Sequence, residues 1–334
     1  LSKEGRQLVC QVIDGGTLGS RKHVNLPGVR VNLPAITLKD RDDIRFAIDH
    51  EVDYIALSFV REASDVEELR QLLGRKQNTI KVIAKIEDQS GVDNIHDIVE
   101  VADGVMVARG DLGIETNIAD LPNVQRRIVH ASAVGGKRCI VATHLLESMI
   151  DNPIPTRAEV TDVANAVYEG VDAVMLSGET SVGEYPIRCV DQLVEITKRA
   201  EKYAGLGYEK ELIPKSDKEH VAIHAVALAE SLKARGIIVI TRRGIMADYV
   251  TSARPHSVPI FAFTNNSATR RRLALNRSVF SFRIPFSSDP EKTLKSALNM
   301  LKRKRQFDAT DKVVVISDVL ADTPSDAIQI RSVN

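Results

Sequence analysis

The chain has 334 residues, a length that suggests about two domains. Its 45 Lys and Arg residues equal its 45 Asp and Glu residues, so it lacks the basic excess expected of a protein that binds nucleic acid or an anionic membrane. No apolar run approaches the roughly 20 residues that span a bilayer. The three cysteines, Cys10, Cys139 and Cys189, follow neither a paired-disulfide nor a metal-binding spacing, which favours free thiols in a cytoplasmic protein.

The amino-terminal segment is predicted to hold a small piece of β structure. Residues 7–13 alternate between apolar and polar side chains and lead into Asp-Gly-Gly at 14–16, a sequence typical of a hairpin turn. Glycine and proline recur through residues 19–34, which predicts a loop. The chain starts with Leu1 instead of Met, so we interpret this segment as the end of a larger unit.

From residue 53 onward, short apolar runs alternate with segments of helical periodicity. The runs are nearly continuous and rich in β-branched residues, as in parallel strands that are buried on both faces. These predicted strands cover residues 54–59, 80–86, 104–108, 139–143 and 172–176, and helices are predicted over 64–73, 124–134 and 157–168. Thr156 and Glu159 form a capping box at the start of the last helix. Repeated strand–helix units of this kind predict a parallel sheet.

Polar residues follow these predicted strands at the point where each strand ends. They are Lys85, Glu87, Arg109, Asp111, Thr143, Ser177 and Glu179. In a (β/α)8 barrel the carboxyl ends of all strands form the face that carries the active site, whereas a doubly wound sheet has its site at one switch point. Groups from several consecutive strands favour the barrel. Because only five of the eight strands are recognisable, we predict a partial (β/α)8 barrel.

The character of the chain changes after residue 203. Residues 204–218 are polar and contain Gly205, Gly207 and Pro214, which predicts a linker. Strands are then predicted at 236–240, 259–263, 279–282, 312–316 and 327–332, and helices at 219–234, 245–252, 268–275 and 291–301. A second α/β region is therefore expected after about residue 210.

Lys85 and Glu87 lie two residues apart in a predicted strand, so their side chains share one face of the sheet. Because a buried charge is costly, this pair is either a structural ion pair or a phosphate-directed lysine beside a metal-binding carboxylate. Asp111, at the end of the next strand, adds a second carboxylate, and two carboxylates at neighbouring strand ends suit Mg²⁺. These groups fit both phosphoryl transfer and enolate stabilisation, and they do not decide between the two.

Other residues near these strand ends have a functional and a structural interpretation. Gly110 lets the backbone approach a ligand, and a helix starting there would favour an anion, although an ordinary turn is the alternative. Thr143 is a candidate for proton transfer, although a single strand-end threonine is more often structural. We interpret Arg109 as a structural ion-pair partner and His144 as a packed or hydrogen-bonded residue. We interpret the arginines at 270–272 as a solvated helix face.

Several longer motifs resemble the pyruvate kinase family. Residues 85–87 read KIE, and residues 103–113 read DGVMVARGDLG. Further blocks are ATHLLESM at 142–149, PIPTRAEV at 153–160 and SGET at 177–180, while NLPG at 25–28 resembles the junction between the family's mobile β domain and its barrel. The blocks occur in the family's order and make the resemblance specific over residues 14–204, with a looser likeness beyond.

The resemblance implies an architecture for the chain. It implies the last five strand–helix units of a (β/α)8 barrel, preceded by the tail of a small β domain and followed by a C-terminal α/β domain. We therefore expect residues 1–27 to be a remnant of the mobile lid domain, 28–204 to be the catalytic barrel and 215–334 to be a regulatory and oligomerisation domain. It further implies that an amino-terminal part is missing and that the protein is a homotetramer. The charge balance and the cysteines predict a cytoplasmic protein that binds neither nucleic acid nor membrane.

The resemblance also implies a reaction, in which the phosphoryl group of phosphoenolpyruvate passes to ADP to give pyruvate and ATP in the last step of glycolysis. Glu87 and Asp111 would hold Mg²⁺ or Mn²⁺, and Lys85 would stabilise the transferring phosphoryl group. Backbone N–H groups of Gly110 and Asp111 would bind the substrate carboxylate, and Thr143 would bind substrate and help to protonate the enolate. K⁺ is also implied, with its ligands expected in the missing amino-terminal part.

The sequence departs from the family pattern at three places. His144 stands where the family usually has Gln. Residues 241–246 (TRRGIM) lack the run of hydroxyls found in the family's effector loop, and residues 318–324 (DVLADTP) are acidic where a glycine- and arginine-rich effector loop is usual. Because acidic residues repel a sugar bisphosphate, we predict no activation by fructose 1,6-bisphosphate. Two alternative functions are a metal-dependent barrel lyase or aldolase acting on an enolate, and a truncated, catalytically incomplete chain.

Overall fold

A short antiparallel pair of strands, β1 (Ser2–Glu4) and β2 (Gln7–Val9), lies at the start of the chain. The computed structural model describes residues 2–20, 24, 34–305, 307–317 and 327–333. The two strands are joined through Gly5, whose φ of 64° is the left-handed value that glycine adopts without strain. The hairpin turn expected at 14–16 is therefore wrong, because the chain reverses earlier, at Gly5, and residues 14–16 belong to no strand.

Five parallel strands form the first sheet. They are β3 (Tyr54–Leu57), β4 (Lys81–Ile86), β5 (Gly104–Ala108), β6 (Arg138–Ala142) and β7 (Ala173–Met175). Their spatial order follows their order in the chain, and each neighbouring pair is parallel. The predicted parallel sheet is confirmed. Within the described residues it is an open sheet, because β3 and β7 each pair with one strand only.

Helices connect these strands. They are α1 (Leu38–Asp49), α2 (Ala63–Leu73), α3 (Gln89–Asp93), α4 (Ile95–Val101), α5 (Arg109–Glu115), α6 (Leu121–Val134), α7 (Arg157–Tyr168), α8 (Gly178–Ser181) and α9 (Pro186–Ala200). The capping box is confirmed, since Thr156 Oγ1 accepts from Glu159 N at 3.3 Å and the Glu159 carboxylate accepts from Thr156 N at 2.7 Å. Helices α1, α3, α4, α8 and α9 were not predicted. Helix α1 buries only Ile44, so its apolar periodicity is weak.

The two faces of the first sheet have different partners. On β4, Val82, Ala84 and Ile86 belong to the large apolar core that contains the helices. Ile83 lies on the opposite face and packs with Met106 of β5. Because side chains alternate along a strand, Lys85 shares the face of Ile83, as its position in the sequence predicted.

The second sheet contains β8 (Gly236–Ile240), β9 (Ile260–Thr264), β10 (Val279–Arg283), β11 (Lys312–Ser317) and β12 (Ala327–Ser332). Its order is β10-β9-β8-β11-β12, and only β12 runs antiparallel to its neighbour. Helices α10 (Asp217–Ser231), α11 (Ile245–Ser252), α12 (Ser267–Arg272) and α13 (Pro290–Arg305) accompany the strands. Every residue of β8 is buried, and its side chains contribute to two separate cores, one on each face. The predicted second α/β region is confirmed.

Helix α12 makes contacts that correct in part the expectation of a solvated face at 270–272. Arg270 is exposed as expected, but Arg271 and Arg272 have partners. Arg271 Nε lies 2.8 Å from Asp53 Oδ2, and the hydroxyl of Tyr54 donates to the carbonyl of Arg272 at 2.7 Å. Asp53 and Tyr54 stand at the start of β3 in the first region. Arg271 and Arg272 therefore dock the second region against the first, and Arg272 Nη1 also donates to the carbonyl of Thr79.

Two predicted features lie outside the described residues, namely the family junction at 25–28 and the acidic loop at 318–324. The three cysteines are free, as predicted, with Cys139 and Cys189 buried and Cys10 exposed. In the described part of the chain, no helix combines the length and the apolar character that a membrane span requires.

Candidate active site

The residues predicted for the site lie at the carboxyl ends of three adjacent strands. They are Lys85 in β4 and Glu87 just beyond it, Gly110 and Asp111 in the first turn of α5 after β5, and Thr143 after β6. Strand β5 pairs in parallel with both β4 and β6, so these ends meet at one edge of the sheet. The structure therefore brings the predicted residues together.

Lys85 and Glu87 form a close ion pair. Lys85 Nζ lies 2.6 Å from Glu87 Oε1 and donates to Ser58 Oγ at 2.8 Å. The backbone N–H of Phe59 donates to Glu87 Oε2 at 2.6 Å, so both carboxylate oxygens have partners. The pair is at the sheet edge rather than inside a core, because Lys85 keeps a quarter of its side chain exposed, 25%, beside a Glu87 that is 1% exposed.

Asp111 lies close enough to Glu87 to affect its ionisation. Burial raises the pKa of Glu87, hydrogen bonding and charge from Lys85 lower it in part, and the negative charge of Asp111 raises it again. The net rise in pKa means that the ionised carboxylate is under-compensated, so an added cation would stabilise it. Among the described residues there is no group of three His, Cys, Asp or Glu side chains that could hold a metal. Two carboxylates fit Mg²⁺, which commonly keeps its other positions for substrate oxygens and water.

Thr143 contacts Gly110 directly. Its Oγ1 accepts the backbone N–H of Gly110 at 2.8 Å and donates to the carbonyl of Ala142 at 2.5 Å. The φ angles of Thr143 and His144 are 69° and 54°, both in the left-handed region. The hydroxyl is therefore held against the start of α5 by an unusual turn of the backbone.

Arg109 is a structural partner, as predicted. Its Nη1 lies 2.7 Å from Asp162 Oδ1, and its Nη2 donates to the carbonyl of Thr143 at 2.6 Å. The side chain is 8% exposed, so no face of the guanidinium is left for a substrate.

His144 and Glu179 lie in the loops that flank the site. His144 is 63% exposed, so the expectation of a packed histidine is wrong, and its Nε2 lies 3.1 Å from Glu147 Oε2. The buried carboxylate of Glu179 accepts from Leu146 N at 3.1 Å and from Ser177 N at 2.6 Å. Glu179 thus ties the loop after β6 to the loop after β7.

Ser58 and Phe59 are site residues that the sequence reasoning missed. Both were included only as the last positions of the strand predicted at 54–59. Phe59 has a φ of 52°, a strained value that aims its N–H at Glu87. A signal was available, because Ser58 is a polar residue that ends a strand, like the residues that were singled out.

Family models match both regions of the chain. The model described as "Pyruvate kinase, barrel domain" matches residues 1–190, and the model described as "Pyruvate kinase, alpha/beta domain" matches residues 219–330.

Curated relatives show the same likeness. A protein named "Pyruvate kinase" from Dictyostelium discoideum is 43% identical, over 99% of this chain and 67% of the relative. "Pyruvate kinase isozyme G, chloroplastic" from Nicotiana tabacum is 44% identical, over 91% of this chain and 54% of the relative. "Pyruvate kinase" from Clostridium perfringens is 39% identical, over 93% of this chain and 67% of the relative. The chain therefore spans between 54% and 67% of the length of these relatives.

Proposed function

Because the chain belongs to the pyruvate kinase family, as its motifs predicted, we propose that the protein transfers the phosphoryl group of phosphoenolpyruvate to ADP. The products are pyruvate and ATP. One observation carries the proposal: the Lys85 ammonium and the Glu87 carboxylate lie together at one edge of the sheet. The nearby carboxylate of Asp111 raises the pKa of Glu87 further. This is a charge arrangement suited to a polyanionic substrate with a divalent cation.

Lys85 stabilises the charge of the transferring phosphoryl group. Its Nζ is held by Ser58 Oγ at 2.8 Å and by Glu87 Oε1 at 2.6 Å, so the ammonium is positioned before substrate arrives. A fixed charge lowers the barrier because it needs no reorganisation as the reaction proceeds.

Glu87 and Asp111 hold Mg²⁺ or Mn²⁺. When bound, a divalent cation neutralises charge on the phosphoryl group and on the enolate. The raised pKa of Glu87 supports this assignment, since burial penalises its ionised form and a cation would offset that penalty. We also propose the K⁺ dependence that the resemblance implies, without assigning residues of this chain to it.

The backbone N–H groups of Gly110 and Asp111 bind the substrate carboxylate. The N–H of Gly110 donates to Thr143 Oγ1 at 2.8 Å in the structure. When the substrate carboxylate binds, it replaces Oγ1 as the acceptor of this hydrogen bond. The hydroxyl of Thr143 is then free to bind substrate and to help protonate the enolate carbon.

We propose that β3–β7 and their helices are five strand–helix units of a (β/α)8 barrel. The match of a barrel-domain model to residues 1–190 supports this architecture. The corresponding domains are a lid segment at 1–27, the barrel at 28–204 and a C-terminal domain at 215–334.

We further propose that the protein is a homotetramer, which sedimentation equilibrium tests. We also propose a cytoplasmic location. Cell fractionation tests it, because one relative is named as chloroplastic.

An assay with phosphoenolpyruvate, ADP, Mg²⁺ and K⁺ tests the reaction. We expect equal amounts of pyruvate and ATP, with no product when ADP is omitted. Pyruvate without ATP would contradict the proposal and support a lyase.

The variant Lys85→Met tests the assigned role of the lysine. We expect kcat to fall by about 10²–10³-fold or more, because one preorganised charge at the developing negative charge is lost. Lys198→Met removes an exposed lysine of α9 and is the matched control, with kcat expected to be unchanged. Normal turnover in Lys85→Met would overturn the assignment.

A further inference from the structure

Thr143 adopts a backbone conformation that a β-branched residue rarely takes. Its φ is 69°, and the left-handed region costs a residue of this kind about 1–3 kcal/mol. Such a conformation persists only where the surrounding structure enforces it. The contacts of this turn therefore identify what holds the threonine.

The guanidinium of Arg109 holds the carbonyls of the turn. Its Nη2 and Nε donate to the carbonyl of Thr143 at 2.6 and 3.2 Å, and Nε also lies 3.3 Å from the carbonyl of Ala142. With only 8% of the residue exposed, water has little access to these bonds. The planar fork of an arginine can grip one oxygen from two nitrogens, which the ammonium of a lysine cannot reproduce.

Two helices hold Arg109 from the other side. Asp162 of α7 has Oδ1 2.7 Å from Arg109 Nη1, and Gln125 of α6 has Oε1 3.5 Å from the same nitrogen. Gln125 in turn donates to the buried carboxylate of Glu169 at 2.8 Å. The orientation of the guanidinium is therefore set by the scaffold behind the sheet and not by the flanking loop.

We infer that Arg109 and Asp162 are positioning residues that set the hydroxyl of Thr143. The inference rests on the proposed function, in which that hydroxyl binds substrate and helps to protonate the enolate. With its carbonyl held by Arg109, Thr143 keeps a positive φ, and Oγ1 meets the N–H of Gly110 at 2.8 Å. Without the guanidinium the strained residue relaxes, and the hydroxyl moves away from the start of α5, where the substrate carboxylate binds to the N–H of Gly110.

The experiment uses Arg109→Gln, Arg109→Lys and Asp162→Asn. We expect amide hydrogen exchange at Gly110 to accelerate in both Arg109 variants, because its acceptor Oγ1 moves away. We expect kcat to fall by about 10²-fold in both, since an error of about 1 Å in a reacting group has that effect. Asp162→Asn leaves the bonds from Arg109 to the carbonyl of Thr143 in place, so the rise in amide exchange and the fall in kcat should both be smaller.

Two further readouts separate positioning from general loss of structure. Binding of Mn²⁺, measured by electron paramagnetic resonance, should stay within about twofold of the parent, because Glu87 and Asp111 are untouched. Arg126→Gln is the matched control: Arg126 lies on α6, 3.6 Å from Glu169 in the same network, but does not contact the turn. Exchange at Gly110 and kcat should both be unchanged in this variant.

Unchanged amide exchange at Gly110 in the Arg109 variants would overturn the inference, as would full activity of Arg109→Lys. Parallel loss of Mn²⁺ binding and kcat would overturn it as well, because the arginine would then be structural only. Failure of the parent protein to convert phosphoenolpyruvate and ADP would contradict the proposed function. The exchange measurement would still decide whether Arg109 holds Thr143, so the two failures are distinguishable.

Discussion

Glu87 is a buried carboxylate whose charge opposes folding. Burial raises its pKa, and Lys85 lowers that pKa only in part. The folded-state pKa lies above the unfolded value of about 4.3, so the folded state favours the protonated carboxyl. The stability that this protonated group contributes is fully present below about pH 4.3. It is lost as the pH rises through the folded-state pKa. The site thus keeps a charge that folding alone would not favour, as expected of a group that serves a ligand.

The variant Glu87→Gln tests whether the buried charge of Glu87 lowers the stability of the folded protein at high pH. We expect it to be more stable than the parent at pH 8, with the difference shrinking toward pH 4, because the amide removes the buried charge and still accepts from the N–H of Phe59. Phosphoryl transfer should be lost at both values. Urea unfolding at the two pH values measures the stability difference.

Glu195→Gln is the control for that measurement. Glu195 pairs with Arg199 on the exposed side of α9, with more than half of each side chain in solvent. We expect no comparable pH trend in this variant. A Glu87→Gln protein less stable than its parent at pH 8 would show that the bond to Lys85 outweighs the burial of the charge.

At this scale, the sequence predicts which residues meet but not how they are held. Lys85, Glu87 and Asp111 were identifiable because charged residues at the ends of apolar strands need a reason to be there. The positive φ of Thr143 could not be read from the sequence, because threonine is not a residue that marks such a turn. The hydrogen bonds from Arg109 to the carbonyl of Thr143 depend on how α6 and α7 pack around the guanidinium. No local sequence pattern predicts that packing.

Gly104 sets the spacing between β5 and β6. A Cβ at this position would lie 2.9 Å from the carbonyl oxygen of Arg138 on β6 and 2.9 Å from Ile83 Cδ1. Both distances are shorter than a methyl group tolerates, and one neighbour is backbone. The same strand pair brings Gly110 and Thr143 together at its other end, so the glycine supports the site from a distance.

The variant Gly104→Ala is expected to lose about 1–3 kcal/mol of unfolding free energy, the usual range for an overpacked core. Because β6 has to move away from β5, we also expect a fall in kcat, since Thr143 after β6 then lies farther from the substrate held by Gly110 and Asp111. Thermal unfolding and steady-state kinetics measure the two effects. Gly15→Ala is the control, since no atom lies within 4 Å of a Cβ at Gly15. Equal stability of the two variants would contradict this account.

Most strands were predictable because they are nearly continuous apolar runs, whereas β10 and β12 alternate between apolar and polar residues. All ten strands predicted from residue 53 onward occur near their expected positions. A clearly apolar face did not by itself decide which helices were predicted, since α9 buries Cys189, Ile196 and Ala200 on one face and was not predicted. Helix α1 buries a single residue, and its capping box at Thr37 and Asp40 was the signal that could have identified it. Short helices such as α5 follow directly from a strand end, and their extent is set by that junction rather than by periodicity.

The two α/β regions share a buried ion cluster centred on Asp172. Its carboxylate lies 3.1 Å from Arg138 Nη1 in the first region and 2.7 Å from Arg254 Nη2 in the second. Burial raises the pKa of Asp172, but the charges of Arg254 and Arg138 outweigh that effect and lower the pKa. In the part of the chain that the structure describes, Arg254 Nη1 has no hydrogen-bond partner, so this guanidinium depends on Asp172. No pattern in the sequence linked these distant residues.

The variant Asp172→Asn leaves two buried guanidiniums without their counter-charge and should lose about 3–5 kcal/mol of unfolding free energy at pH 7. The folded-state pKa of Asp172 lies below the unfolded value of about 3.9, so its stabilisation is present above that value and lost as the pH falls through the folded-state pKa. The difference between parent and variant should therefore narrow below about pH 4. Urea unfolding across this range measures it.

Asp53→Asn provides the comparison at the same junction, because Asp53 pairs with Arg271, whose side chain is 46% exposed. A pair in contact with water is worth about 0–1 kcal/mol, so this variant should remain close to the parent. If Asp172→Asn proved as stable as Asp53→Asn, the buried cluster would not hold the two regions together. The association of the two regions would then depend on apolar contacts, such as that of Leu275 with the face of the first sheet that carries Ile83 and Met106.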